Sequence, residues 1–161
     1  ERCSAAEDGE YHRATGEPVT DACIKPEPLF ERTDALTVGV GDGGNELGTG
    51  TISEATKRAV PHGEEIASAT DADVTVITTV SNHAGPGITA ALSVLLDRNL
   101  LHTPETEERA LVQHAQSGAI DGVTGRTDGS VDGLSPATHA GVVEILHAIV
   151  EESSFSDEFR E

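Results

Sequence analysis

One stretch constrains this chain more than any other. Residues 38 to 51, VGVGDGGNELGTGT, carry a β-branched apolar run, begun at Leu36, straight into a loop; together they hold six glycines, one Asp, one Asn and one Glu. The run predicts a strand, and glycines at its end allow tight turns and close backbone approach. Gly39, Gly41 and Gly44 satisfy GxGxxG, the dinucleotide fingerprint, in which a turn delivers the chain to a helix N-terminus that binds pyrophosphate. Here no helix is expected at once, because NELGTG adds two more glycines, and no acidic residue ends a second strand to hold a ribose. Both features weaken the nucleotide reading. A Walker loop is excluded more firmly, since no Gly-Lys-Ser/Thr occurs.

The loop offers other chemistry. Backbone N–H groups of Gly43 and Gly44 can form an anion nest. Asp42 and Glu46 are candidate proton-transfer groups or metal ligands, and Asn45 is a neutral hydrogen-bond donor. The competing reading is a plain turn in which Asp42 and Asn45 only satisfy local amides. It leaves Glu46 unexplained, because Glu has no turn-building role.

Around this loop the chain alternates patterns. Residues 1 to 20 are polar and aperiodic, which predicts an extended arm or loop over a neighbouring surface. A short helix is expected over Asp21 to Arg32, disturbed by Pro26 and Pro28. Ser53 is the expected N-cap of a helix that stops before Pro61. Residues 65 to 69 suit a brief strand. Asp73 to Val80 suits a stronger one, its near-continuous apolar positions fitting a strand covered on both faces in a parallel sheet. After the SNHAGPG turn, Ile88, Ala91, Leu92, Leu95 and Leu96 make one apolar helical stripe. Thr103-Pro104 and Ser135-Pro136 each place an N-cap before a proline at the first helical position. The last helix repeats the stripe with Val142, Ile145, Leu146, Ile149 and Val150, and residues 118 to 134 read as a loop with one short strand at most.

Strands alternating with amphipathic helices predict an α/β fold, a layered, Rossmann-like sandwich with a mostly parallel sheet and flanking helices. Residues 1 to 150 read as one domain and 151 to 161 as a frayed acidic tail. Ligands of such sheets sit beyond the carboxyl ends of the strands. The glycine-rich loops 41–50 and 81–87 are both placed there.

With 29 acidic against 10 basic residues the formal charge is -19, spread through periodic segments instead of forming a tail. We read this as a halophilic surface, because intact aliphatic segments argue against disorder. In molar salt the Debye length falls to roughly 3 Å, so the charge argues against nucleic acid as partner but not against a small anionic ligand. No stretch approaches a membrane span and no signal peptide is visible, which makes the cytoplasm of a high-salt organism the expected location. Cys3 and Cys23 show no CxxC spacing and read as two free thiols.

SerAsnHis at 81 to 83 closes the second strand. Ser81 and Asn82 can hydrogen-bond a carboxylate, with His83 an acid, base or donor; an Asx-turn or helix cap is the plainer reading. His12, His62, His102, His114, His139 and His147 have no ligand spacing and read as solvated or helix-surface positions. Asp128, Ser130, Asp132 and Gly133 match the start of an EF-hand loop, but position 12 would be His139 inside a predicted helix, which rules that motif out. The repeated Asp-Gly pairs read as turns.

Taken together, GVGDGGNELGTG at 39 to 50 resembles the C-terminal domain of the D-glutamate cyclase family, whose pattern reads G-I/V-G-D-G-G-N-E-I/L-G-M-G. ERCSAAEDGEYHRATGE at 1 to 17, VSNHAG at 80 to 85 and GAIDGVTGRTDGSVDGL at 118 to 134 are similar to further stretches of that family, in the same order. Thr49 stands where the pattern has Met, and His83 and Ala84 where it has Trp and Gly. The family domain is longer, which implies a portion upstream of this chain. The resemblance implies cyclisation of D-glutamate to 5-oxo-D-proline with loss of water. For that chemistry Asp42 and Glu46 are the candidate base and acid, and Gly43, Gly44 and Asn45 candidate oxyanion or carboxylate donors. Ser81 with Asn82 would fix the other carboxylate, and His83 would contact substrate. Asp121 and Asp132 would bind the ammonium or a divalent metal. No cofactor is certain, and the metal and a homo-oligomer stay open. So do two other classes: a non-catalytic metabolite-binding domain, and a nucleotide- or metal-dependent phosphoryl enzyme.

Overall fold

The structure, a computed structural model, describes residues 4–155. The chain clusters into two compact units that divide after Ser81. The first holds α1 (Glu27–Glu31), β1 (Val38–Gly41), α2 (Ser53–Ala59), α3 (Gly63–Ile66) and β2 (Val74–Ile77); the second holds α4 (Ala84–Leu95), α5 (Pro104–Gln116) and α6 (Pro136–Phe155). This is a mixed α/β chain with a small parallel sheet and flanking helices.

In the first unit β1 and β2 pair in parallel, Val38 opposite Val74 through Gly41 opposite Ile77. Parallel neighbours need a crossover, and α2 and α3 lie within it. The glycine loop folds back over its own strand: a Cβ on Gly39 would collide with the Gly48 carbonyl, and Gly48 itself holds φ +86°. Backbone against backbone at this point requires glycine on both sides. The full cover expected on both faces of β2 is not seen, since Val74 and Ile77 stay exposed at the pair's two ends.

The polar arm is not a loose strap. Isolated bridges join Ala5 to Tyr11 and His12 to Pro18. Tyr11, the only tyrosine in the sequence, is 1% exposed, and its hydroxyl donates to Glu27 Oε2 at 2.5 Å. Burial and the neighbouring Glu27 carboxylate push the Tyr11 phenol up, so it stays protonated and donating. Ser4 N donates to the Asn45 carbonyl at 2.8 Å and Ala69 N to the Ala5 carbonyl at 3.0 Å, stitching the arm to the glycine loop.

Several local expectations shift. The helix expected over Asp21 to Arg32 is a 3-10 turn at Thr20–Ala22 and the separate α1, parted by Pro26. Ser53 is the first residue of α2 rather than its cap, because a 3-10 turn at Gly50–Ile52 leads directly into the helix. No strand forms over 65 to 69. Ile66 ends α3, and Ser68 N donates to the Gly44 carbonyl while Gly50 N donates to the Thr70 carbonyl, so the segment is bound to the loop instead.

In the second unit α6 packs against both α4 and α5. Thr103 and Ser135 accept from the amides of Thr106 and Thr138, capping the helices that open at Pro104 and Pro136. The loop expected at 81 to 87 is a 3-10 turn, Ser81–His83, running into α4, where Pro86 falls in a first turn that needs no amide donor from it. The buried side of α4 is small, Ala84, Ala90 and Ser93, whereas Leu92, Leu95 and Leu96 of the expected stripe stay exposed. Among the described residues of α6, His139, Ala140, Val143 and Val150 are buried, Val142 and Leu146 half-buried, and Ile145 and Ile149 exposed, so the inward face is turned partly away from the apolar stripe. Residues 118 to 134 form a loop with an isolated bridge between Val131 and Leu134. The expected tail is helical as far as Phe155; Cys3 and residues 156 to 161 lie outside the described residues. Cys23 is a free thiol, and no described helix is long and apolar enough to cross a membrane.

Candidate active site

The loop after β1 contains its own anion. Glu46 is 3% exposed and turns its carboxylate back into the backbone nest of the three residues that leave the strand. Oε1 accepts the amides of Asp42 at 3.0 Å and Gly43 at 2.8 Å, and Oε2 accepts that of Gly44 at 2.7 Å. The glycines follow from this geometry. A Cβ on Gly41 would strike the Glu46 carboxylate, and Gly44, at φ +85°, lies so close to buried Thr56 that its Cβ would strike the threonine side chain. The three glycines of the dinucleotide-like spacing thus serve backbone packing and a glutamate clamp. The amides expected for an external phosphate or carboxylate are held from within.

Two neighbours complete the loop. Thr49, fully buried, donates its hydroxyl to the Glu46 carbonyl at 2.7 Å. Asn45 is buried, and its Nδ2 donates to the His12 carbonyl at 3.1 Å, tying the loop to the arm. Asp42 differs from Glu46. It is half-buried, and its Oδ2 accepts the Ser81 amide at 2.8 Å, a bond linking the carboxyl ends of the two paired strands.

The second unit repeats the clamp in the 118–134 loop. Asp121, buried, accepts Val123 N at 2.9 Å and Thr124 N at 3.1 Å on Oδ1, and Gly133 N at 2.9 Å on Oδ2. Burial opposes its charge, but Ser130 and these three amides outweigh that and hold the carboxyl well below its ordinary value. The folded value being the lower one, ionised Asp121 stabilises the chain above the ordinary pKa of 3.8, and the contribution is lost as pH falls through the folded value. Asp121→Asn is therefore expected to lower the urea midpoint near pH 6, with the gap to wild type closing below about pH 4. A gap that held constant across that range would contradict the clamp.

Asp132 sits at φ +50°, the left-handed turn position that short polar side chains tolerate. Asn82 and Asp121 line one cavity of about 210 Å³ together with Leu111, His114, Ile120 and Ser130. His83, half-buried, does not stand alone: its Nε2 lies 2.9 Å from Nδ1 of His139, which is 1% exposed. Sequence spacing gave no sign of His139, because the two rings are 56 residues apart in the chain. Among the described residues no three His, Cys, Asp or Glu side chains gather as a metal site. Both oxygens of Glu46 and of Asp121 accept backbone amides.

A parallel β-pair thus ends in a self-clamped carboxylate loop, with a second carboxylate half-buried beside it, in a mixed α/β chain. The chain belongs to the D-glutamate cyclase-like, C-terminal family, whose model matches residues 1–147. It is similar to the mitochondrial D-glutamate cyclase of Homo sapiens, at 31% identity over 177 residues covering 91% of this chain. The chain spans 28% of the length of that human protein.

Proposed function

We propose that this chain is a D-glutamate cyclase-like lyase, closing D-glutamate, or a closely related small anionic amino acid, to 5-oxo-D-proline with loss of water. In that reaction nitrogen bonds to the γ-carboxyl carbon and a carbon–oxygen bond breaks. Two protons leave the ammonium and two arrive on the departing oxygen. A group that both takes and returns a proton is needed, at a strand end where small ligands of α/β sheets bind.

The observation that carries the reading is Asp42. It sits at the carboxyl end of β1 with one oxygen fixed by the Ser81 amide, and it lies in a family whose relative is a D-glutamate cyclase. Asp42 is assigned the proton traffic. Glu46, sequestered by three amides, is assigned the role of holding the loop in shape, and Gly43 and Gly44 serve that clamp in place of a substrate carboxylate. Asn45 holds the loop to the arm. The exposed Val38, Val74 and Ile77 on the paired strands support reading them as part of a wider, Rossmann-like layered sheet.

Incubation with D-glutamate or L-glutamate, in low and in molar salt, followed by chiral separation of 5-oxoproline, tests the assignment. The expected product is 5-oxo-D-proline from the D-enantiomer. A folded chain that forms none, and whose melting temperature is moved by neither D-glutamate nor 5-oxoproline, contradicts it.

A further inference from the structure

We propose that His139 is a positioning residue that fixes the tautomer of His83 and leaves His83 a proton acceptor at Nδ1. Its place in turnover rests on the cyclase reading above; its chemistry does not.

The imidazoles of His83 and His139 meet with ring centroids 4.8 Å apart and planes inclined by 58°. Between His83 Nε2 and His139 Nδ1, 2.9 Å apart, there is room for one proton. Which ring owns it follows from the far side of His139. There Nε2 faces the Val131 carbonyl at 3.4 Å, and a carbonyl only accepts. The proton of neutral His139 therefore belongs on Nε2, its Nδ1 accepts, and His83 Nε2 must donate. The reverse assignment would set the His139 Nε2 lone pair against the Val131 oxygen. Because His139 is almost wholly buried, water is not at hand to relieve that conflict.

The nitrogen left bare is His83 Nδ1. Nε2 is the nitrogen engaged with His139, and the half-buried ring leaves the side chain partly open to water. The surroundings favour the neutral ring: burial and His139 lower its proton affinity, against weaker opposition from Glu107 on α5 and Asp132 in the 118–134 loop. A neutral imidazole with one nitrogen anchored and the other open is the form a general base takes. Any part in turnover falls to Nδ1, which can take up one proton and release it again, leaving the ring unchanged after each cycle. His83 and His139 stand on different elements, so only folding brings the pair together.

The test is nitrogen-15 NMR of the imidazoles in the full chain. The expected wild-type pattern for His83 is a protonated Nε2 and a bare Nδ1. In His139→Phe the pattern gives way to mixed tautomers, whereas His139→Gln, whose side-chain carbonyl can accept the same N–H, preserves it. Turnover of D-glutamate should fall at least about tenfold in His139→Phe and His83→Phe and largely return in His139→Gln. A wild-type His83 protonated on Nδ1, or a folded His139→Phe with the wild-type pattern, overturns the proposal. If His139→Phe does not fold, the wild-type spectrum decides. The expected tautomers in a chain that makes no 5-oxoproline would support the positioning and count against the cyclase reading alone.

Discussion

Replacing Glu46 with Ala is expected to destabilise the first unit by about 3–5 kcal/mol, enough to bring a chain of ordinary stability close to unfolding. The magnitude follows from what the side chain leaves behind. Three amides, those of Asp42, Gly43 and Gly44, lose their acceptor where the loop is largely buried, and an unpaired buried donor costs about 1–3 kcal/mol. Water entering the gap recovers part of the sum. Glu46→Gln is the milder variant, at about 2 kcal/mol. Its carbonyl can keep the two amides on Oε1, but its NH2 group then confronts the Gly44 N–H. Urea midpoints read the effect directly, with the order wild type, Gln, Ala. Equal midpoints for all three would mean that the glutamate does not hold the loop.

Asp42→Asn is expected to do the opposite, removing turnover while the fold stands. The structural bond at this residue is acceptance of the Ser81 amide by Oδ2, and an asparagine carbonyl can accept it equally well. What asparagine cannot do is take up and return a proton. Loss of a positioned acid–base group costs about 10²- to 10⁴-fold in rate. The two carboxylates of GDGGNE thus separate by experiment: Glu46 variants melt early, and Asp42→Asn melts normally but does not turn over.

The legible parts of the fold were those fixed by local chemistry. LTVGVG and DVTVITTV showed as strands because β-branched residues cluster there, and Thr103-Pro104 and Ser135-Pro136 marked helix starts through a cap and a preset φ. Faces were harder to read than elements. The stripe on α4 pointed to Leu92, Leu95 and Leu96, yet the helix buries Ala84, Ala90 and Ser93, because small residues allow close approach and periodicity cannot say which side a neighbour takes. The arm was legible as a segment lying over a neighbouring surface but its anchor was not, because one Tyr among polar residues makes no pattern and its partner Glu27 is 16 residues on.

The candidate site was legible as a set of residues and not as a set of roles. GDGGNE announced a loop with two carboxylates, but nothing in the spacing tells that Glu46 turns inward onto amides two to four residues back while Asp42 does not. The same holds for Asp121, whose Asp-Gly setting suggested a turn and whose three amide bonds make it the centre of one. His139 had no local signal at all. Its partner is set by the packing of α6, whose inward face is turned partly away from the apolar stripe that periodicity marks.

The most direct test compares formation of 5-oxo-D-proline from D-glutamate by the wild-type chain and by Asp42→Asn, each shown to be folded by its melting temperature. Product is expected from the wild type, with a rate at least about 100-fold lower from Asp42→Asn and melting temperatures that agree. A folded Asp42→Asn that forms product at the wild-type rate would contradict the assignment of Asp42.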